Sequence, residues 1–213
     1  MSNKKIFLKQ FRKIGAVVFV ICLFVVKMNA QNKSSLPNIV YILADDLGYA
    51  DLGCFGNKKI RTPHLDTLAA EGTKFTSFYV TQAVCSSSRA ALMTGSYPNR
   101  VSMQGALNHT SKEGINPKEY LLPEMLKEQN YKTGIFGKWH LGTATMFHPL
   151  KHGFDEFWGI PYSNDNSKYH PSLAAEMPPL PVYDDAKISE TDPDQSQFTR
   201  RITEKAVSFV HRH

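Results

Sequence analysis

Short apolar runs alternate with helix-start signals along most of the chain, and this alternation limits the possible fold more than any other feature. Residues 38–44 form an apolar, β-branched run without strict alternation, which predicts a strand covered on both faces. Thr62 followed by Pro63 predicts a helix start, and Gly72 predicts its end. Further strands are predicted at 74–81 and 131–136, and further helices at 86–94, 123–129 and 197–213. Strands that alternate with helices favour an α/β fold with a mostly parallel sheet flanked by helices.

A proline-rich stretch interrupts this alternation near the end of the chain. Residues 164–196 hold five prolines and several acids, a composition typical of surface loops. We predict a long surface excursion there, rather than a linker to a second domain. The sequence thus predicts one α/β domain of about 150 to 200 residues.

The first 30 residues have the layout of a secretory signal peptide. Residues 4–13 are basic, the thirteen residues 14–26 are apolar, and the small residue Ala30 offers a cleavage point. The apolar run is short for a membrane span, which needs about 20 residues. We predict cleavage after Ala30, so that residues 31–213 are exported to the periplasm or secreted and keep no membrane span. An uncleaved anchor and a lipid attached at Cys22 are the alternatives.

The formal net charge of +6 comes entirely from this leader. The leader holds six of the 25 basic residues and no acid, so the rest of the chain balances 19 basic against 19 acidic residues. Nucleic-acid-binding domains carry a basic patch or stripe. The composition therefore gives no support for a nucleic-acid partner.

Two cysteines remain after the leader, and their state is open. An exported protein can join Cys54 and Cys85 in a disulfide, but nothing in the sequence requires it. Cys54 is interpreted as a small buried hydrophobe. Cys85 stands at the start of a predicted helix, where other chemistry is available to it.

Two adjacent carboxylates follow the first predicted strand. Ligand sites in open α/β sheets gather at the carboxyl ends of strands, and Asp45 and Asp46 fall at such an end. Adjacent carboxylates repel each other unless a cation lies between them, and calcium prefers oxygen ligands of this kind. A metal site and a solvated turn are both compatible with this pair.

A cysteine, three serines and an arginine open the next predicted helix. The amide groups at a helix N-terminus favour an anion and lower the pKa of a thiol. Arg89 lies one turn after Cys85, so its guanidinium could reach the same anion. The alternative is a buried cysteine beside a serine cap.

A cation and an imidazole follow the strand predicted at 131–136. Lys138 and His140 are two residues apart, and in an extended segment such side chains point the same way. Together they would suit an anion-binding pocket in which a proton is transferred. Two solvated polar residues at the end of a strand are the alternative.

Five motifs, taken in order, resemble the type I, formylglycine-dependent sulfatases of the alkaline-phosphatase superfamily. Within that family the resemblance is to the arylsulfatase A and N-acetylgalactosamine-6-sulfatase group. It covers residues 38 to about 167. The motifs are NIVYILADDLG at 38–48, TPHLD at 62–66, CSSSRAALMTG at 85–95, GKWHLG at 137–142 and GIPYSN at 159–164.

The resemblance implies a specific reaction. A formylglycine-generating maturation enzyme would oxidise Cys85 to an aldehyde, whose hydrate attacks the sulfur of a sulfate ester and releases the alcohol. The second hydroxyl of the hydrate would then expel sulfate as the aldehyde re-forms. Asp45, Asp46 and the residue made from Cys85 would bind Ca²⁺, which polarises the sulfate. The implied substrate is a sulfated small molecule or a sulfated glycan.

The same resemblance implies roles for four further residues. Arg89 and Lys138 would hold the formylglycine and neutralise the charge of the sulfate, so that Lys138 also contacts substrate. His140 would assist the proton transfer of the hydrate. Ser163 corresponds to a family serine that lies near the sulfate.

Two departures from the family pattern bear on activity. Ser87 stands where the cysteine motif usually has proline, or alanine in some bacterial members, so conversion of Cys85 is in question. Family members are also more than twice this long. We therefore expect residues 31–213 to be the N-terminal part of an incomplete catalytic domain, poorly soluble or inactive alone.

Three other functions stay open from the sequence. A phosphomonoester or phosphonate ester hydrolase would use a similar site. A non-catalytic remnant that binds sulfated glycans would keep Cys85 unmodified. Thiol catalysis by Cys85 with His140 is the weakest alternative, because it leaves Asp45, Asp46 and Lys138 without a role.

Overall fold

The computed structural model describes residues 36–213, which fall into two units. The first unit is Met1–Leu47 and the second is Gly48–His213. The predicted signal peptide, residues 1–30, lies outside the described residues. Within residues 36–213, no helix is long and apolar enough to cross a membrane.

The described part of the first unit is a segment without regular secondary structure that contains a turn. Residues 36–44 carry no strand pairing, Asp45 and Asp46 form the turn, and every residue of 36–47 is exposed. Ile42 is 75% exposed. The buried strand predicted at 38–44 is therefore wrong for this structure, because no described strand pairs with the segment and its apolar side chains stay uncovered.

Four α-helices lie in the second unit, and their ends follow the predicted signals. The helix predicted from Thr62 begins at Pro63, and the amide of Gly72 caps it by donating to the carbonyl of Leu68. Gly95 ends the second helix in the left-handed conformation, with φ of +65°, which glycine adopts without strain. The helices are α1 (Pro63–Glu71), α2 (Cys85–Thr94), α3 (Leu122–Glu128) and α4 (Phe198–Arg212).

Four strands form one mixed sheet in the order β1-β2-β3-β4. The strands are β1 (Gly134–Lys138), β2 (Glu156–Ile160), β3 (Pro181–Asp184) and β4 (Lys187–Thr191). β1 and β2 are parallel, whereas β2/β3 and β3/β4 are antiparallel. The predicted α/β class is confirmed. The antiparallel strands come from residues 164–196, so part of the predicted surface excursion extends the sheet. The strand predicted at 74–81 does not form.

The sheet carries a hydrophobic cluster on each face. Phe157 and Trp158 are adjacent on β2, and their side chains point to opposite faces. Phe157 packs with Trp139 and other apolar residues in one cluster. Trp158 packs in the other, where Phe198 and Ile202 of α4 cover it. This two-sided burial fixes the position of β1 and β2, and therefore of the loops at their carboxyl ends.

Two histidines between β1 and β2, the buried His152 and the half-buried His148, have lowered pKa values. His152 is 1% exposed and its Nε2 donates to the carbonyl of Met146 at 3.2 Å. The ring of His148 lies 5.4 Å from that of Phe157 and 5.5 Å from that of Tyr183. Burial lowers the pKa of both histidines below the ordinary value of 6.5, against weaker effects that raise it. Protonation of either ring therefore opposes folding.

We expect the free energy of unfolding to fall as the pH drops below about 6.5. Below pH 6.5 the imidazoles bind protons in the unfolded chain more readily than in the folded one, which favours unfolding. The stabilisation from the neutral rings is therefore complete above pH 6.5, and it is lost as the pH falls from 6.5 through the lower pKa of the folded state. Each histidine contributes at most about 1.4 kcal/mol per pH unit to the slope of the free energy of unfolding against pH. Urea unfolding at pH 7.5 and 5.5 measures it. His152→Gln should reduce the slope, whereas His211→Gln, at an exposed position, should not. Equal slopes in all three proteins would contradict this account.

Candidate active site

The candidate site lies at the carboxyl ends of β1 and β2, beside the start of α2. The parallel pairing continues past both strands, because the amide of Trp139 donates to the carbonyl of Ile160 at 3.0 Å and the amide of His140 to that of Pro161 at 3.1 Å. Both loops therefore leave the sheet in fixed register. Carboxyl ends of parallel strands are the usual place for ligands in α/β folds.

Cys85 is the first residue of α2. Val84 before it is extended and caps the helix with its backbone alone, accepting from the amide of Ser88 at 2.8 Å. Cys85 is half-buried, while the next two residues, Ser86 and Ser87, are fully buried. Both Cys54 and Cys85 are free thiols, so the disulfide left open by the sequence does not form. The thiol of Cys85 lies where the amide groups of the first turn favour negative charge.

Arg89 connects α2 to the end of β1. Its Nη1 donates to the backbone carbonyl of Lys138 at 2.5 Å. Arg89 and Lys138 are half-buried. The structure therefore brings together the start of α2 and the end of β1, two segments that are 49 residues apart in the sequence.

His140 is buried and has an unusual backbone conformation. It is 2% exposed, and its φ of +63° lies in the left-handed region, which costs a non-glycine residue about 1–3 kcal/mol. Lys138 and His140 do not lie in one extended segment, contrary to the prediction, because β1 ends at Lys138 and the chain turns. The Nε2 atom of His140 lies 2.6 Å from the carbonyl oxygen of Leu107. Since a carbonyl only accepts, Nε2 carries the proton.

The loop after β2 holds Ser163 in a polar network. A hydrogen bond from Ser163 lowers the pKa of Asp165, the largest of several effects on that carboxyl. Beside it, burial raises the pKa of Tyr162 to about 12, so its hydroxyl stays protonated at neutral pH. Asn166 in the same loop pairs with Nδ1 of His109 at 3.1 Å. Ser163 itself is half-buried in this loop.

One segment at the site was not foreseen from the sequence. Residues 105–109 contact α2 through Ser86 and Ser87, the β1 loop through His140, and the β2 loop through Asn166. Most of these contacts use backbone atoms of the segment. Because any residue type can supply a backbone amide or carbonyl, no motif marks such a segment.

Asp45 and Asp46 lie in the first unit, where they form a turn. Both carboxylates are exposed, and Asp46 has a φ of +56°. They do not follow a described strand, contrary to the expectation. The predicted metal site of Asp45, Asp46 and Cys85 draws on both units and stays a prediction.

The site combines a cysteine at a helix start, an arginine one turn later and a Lys-x-His loop. This combination agrees with the family comparison. The Sulfatase family model matches residues 37–213. The chain belongs to the sulfatase family. The match takes in all seven residues predicted for the site, and the fold described above is the part of the sulfatase fold that this chain contains.

Known relatives of this chain include the two types of sulfatase that its motifs resemble. N-acetylgalactosamine-6-sulfatase of Sus scrofa is 42% identical over 193 residues, which cover 83% of this chain and 36% of the relative. Arylsulfatase A of Bos taurus is 51% identical over 135 residues, which cover 62% of this chain and 27% of the relative. The solved structure of BT4656 in complex with its substrate D-glucosamine-2-N,6-O-disulfate is 25% identical, with a TM-score of 0.64.

The chain spans only part of each of these proteins. The match to BT4656 covers 83% of this chain but only 31% of BT4656 itself. The matched residues of this chain thus cover 27% to 36% of the length of these three proteins. The family and the fold of the matched part are shown, whereas the activity of a whole protein is a separate question.

Proposed function

We propose that the protein carrying this chain hydrolyses sulfate esters, with formylglycine made from Cys85 as its nucleophile. The observation that carries the proposal is the link between α2 and β1: Cys85 opens α2, and Arg89 of the same helix donates to the backbone of Lys138. In a sulfatase family member, these are the residues that the family motifs assign to the reaction.

The residues of the second unit would divide the work as follows. Cys85, once converted by a maturation enzyme, supplies an oxygen nucleophile in place of a thiol. Arg89 and Lys138 bring positive charge to the start of α2, where it offsets the charge of a bound sulfate. His140, protonated at Nε2, can accept a proton only at Nδ1. Ser163 would contact the sulfate as a hydroxyl donor.

Calcium is the metal that the site residues fit. Asp45 and Asp46 offer exposed carboxylate oxygens on one turn, the hard donors that calcium prefers. With the residue formed from Cys85, they would contribute to its coordination. A bound calcium ion would polarise a sulfate oxygen and increase the electrophilicity of the sulfur.

We expect removal of calcium to abolish turnover. Dialysis of the native, exported protein against EGTA should lower kcat for an aryl sulfate by at least about 10²-fold, because the sulfate loses its cationic partner. Added Ca²⁺ should restore activity more completely than Mg²⁺, which prefers fewer protein oxygens and a stricter geometry. Full activity in EGTA would remove calcium from the proposal.

The substrate class and the compartment are part of the same proposal. BT4656 is solved with a disulfated glucosamine, and the Sus scrofa relative is an N-acetylgalactosamine-6-sulfatase, which supports a sulfated glycan as substrate. The signal peptide layout of residues 1–30 supports export, to the periplasm or outside the cell. Aryl sulfates serve as convenient probes of the same chemistry.

Parallel assays of sulfate and phosphate esters test the function. The native protein is offered 4-nitrophenyl sulfate, 4-nitrophenyl phosphate and sulfated disaccharides, and release of each anion is measured. We expect kcat/KM to be higher for the sulfate esters. A higher kcat/KM for the phosphate ester would favour the phosphohydrolase alternative. Binding of sulfated saccharides without release of sulfate would favour the non-catalytic one.

A further inference from the structure

Ser86, the residue after the candidate nucleophile, makes a contact that links two parts of the site. Its side chain is fully buried, and its Oγ accepts a hydrogen bond from the amide of Leu107 at 3.0 Å. The carbonyl of the same residue, Leu107, accepts from Nε2 of His140 at 2.6 Å. Leu107 is itself buried, at 9% exposure. A single peptide segment thus connects the first turn of α2 to the imidazole.

We propose that Ser86 is a positioning residue, which acts through the backbone of Leu107 to fix the orientation and tautomer of His140. The inference rests on the proposed function for its catalytic meaning. Ser86 itself does not touch the substrate in this proposal. We name the connection Ser86–Leu107–His140 the backbone tie.

The tie determines which nitrogen of His140 can act as a base. A neutral imidazole carries one proton, and the other nitrogen then has a lone pair. Because the carbonyl of Leu107 can only accept, the hydrogen bond selects the tautomer with the proton on Nε2. Nδ1 is therefore the basic atom. Loss of the tie would allow the opposite tautomer, in which Nδ1 can no longer accept a proton.

The backbone and the ring of His140 are held by different contacts. A residue at φ of +63° persists only when its surroundings hold it there. The amide of His140 is held by the carbonyl of Pro161 at 3.1 Å, and the ring by Leu107. Two contacts thus set the backbone and the ring separately, and only the second depends on Ser86.

Nitrogen-15 NMR of the histidine side chains tests the tie directly. In protein labelled with ¹⁵N-histidine, long-range ¹H–¹⁵N spectra show which ring nitrogen carries the proton. Wild-type protein should show His140 as a single tautomer protonated at Nε2. Ser86→Ala should give a mixture of tautomers, and Ser86→Thr, which keeps the hydroxyl, should restore the wild-type pattern.

A matched control separates this effect from general loosening of the segment. Ser111→Ala removes the hydroxyl that accepts from the amide of Asn108 at 2.9 Å, one residue from the tie but not part of it. It should leave the tautomer of His140 unchanged. Circular dichroism confirms that each variant is folded. A tautomer as pure in Ser86→Ala as in wild type contradicts the proposal, whatever happens to turnover.

Steady-state kinetics test whether the tie affects turnover. Since Ser86 lies inside the modification motif, turnover is divided by the aldehyde content of the Cys85 peptide. On this basis Ser86→Ala should lower kcat by about 10- to 100-fold through misplacement of the base, with KM changed less than about 2-fold. An unchanged kcat overturns the catalytic meaning of the tie. A wild-type protein without aldehyde or turnover instead refutes the proposed function, while the NMR result still decides the tie.

Discussion

Gly159→Ala should prevent the second unit from folding normally. Gly159 lies in β2 opposite Gly137 of β1, with a φ of +154°. A methyl group at this position would lie 1.7 Å from the carbonyl oxygen of Gly137, so the parallel pair would have to separate. We expect a loss of at least about 3 kcal/mol in the free energy of unfolding, in the range of severe core substitutions. Urea unfolding followed by circular dichroism measures it.

Gly105→Ala is the matched control for this substitution. A methyl group at Gly105 meets no atom within 4 Å, and the backbone there is not in the left-handed region. It should change the free energy of unfolding by no more than about 0.5 kcal/mol. If Gly159→Ala is as stable as Gly105→Ala, the close approach of β1 and β2 is wrong, and with it the position of Lys138 and His140 at the strand ends.

Cys85→Ala should abolish hydrolysis of sulfate esters by the native protein. Removal of a nucleophile on which a reaction depends costs at least about 10³-fold in kcat, and alanine offers neither a thiol nor a precursor of the aldehyde. The variant should stay folded, because Cys85 is only half-buried at the first residue of α2. The rate of sulfate release from 4-nitrophenyl sulfate measures the effect.

Cys54→Ala is the control for this second substitution, since Cys54 is the other free thiol of the described residues and is also half-buried. It should keep at least half of the wild-type kcat. If Cys85→Ala retains more than about a tenth of the wild-type activity under the same conditions, the nucleophile is a different residue. The formylglycine proposal then fails.

The helices could be predicted from the sequence because their ends carry local signals. Thr62–Pro63 and Gly72 bound α1, and Gly95 ends α2, as expected. These signals depend on the backbone preferences of single residues and need no distant partner. That is why helix bounds agree with prediction to within a few residues along the whole second unit.

The strands were predicted less well because pairing depends on distant residues. The apolar runs at 38–44 and 74–81 carry strong strand propensity, yet no described strand pairs with them. β2 was missed, since Glu156 and Gly159 weaken its pattern. The hairpin of β3 and β4 lies in a stretch whose prolines indicated a loop. Strand propensity describes how well a residue fits into a sheet, but not whether a partner strand is present.

The sequence names candidate side chains for the site, but not the backbone groups that contact them. The family motifs name Cys85, Arg89, Lys138 and His140, and the structure brings the last three of these into one connected set of contacts with residues 105–109 and α2. The carbonyls of Lys138 and Leu107, which bind Arg89 and His140, leave no trace in a residue pattern. Only the three-dimensional structure shows these backbone contacts.

The most direct test of the central claim is mass spectrometry of the peptide that carries Cys85, taken from the native protein. An aldehyde in place of the thiol is the result we predict, and it would show that the maturation enzyme accepts Ser87 in the motif. An unmodified thiol in all of the purified protein would contradict the proposal, and the non-catalytic glycan-binding function would then account better for the same residues.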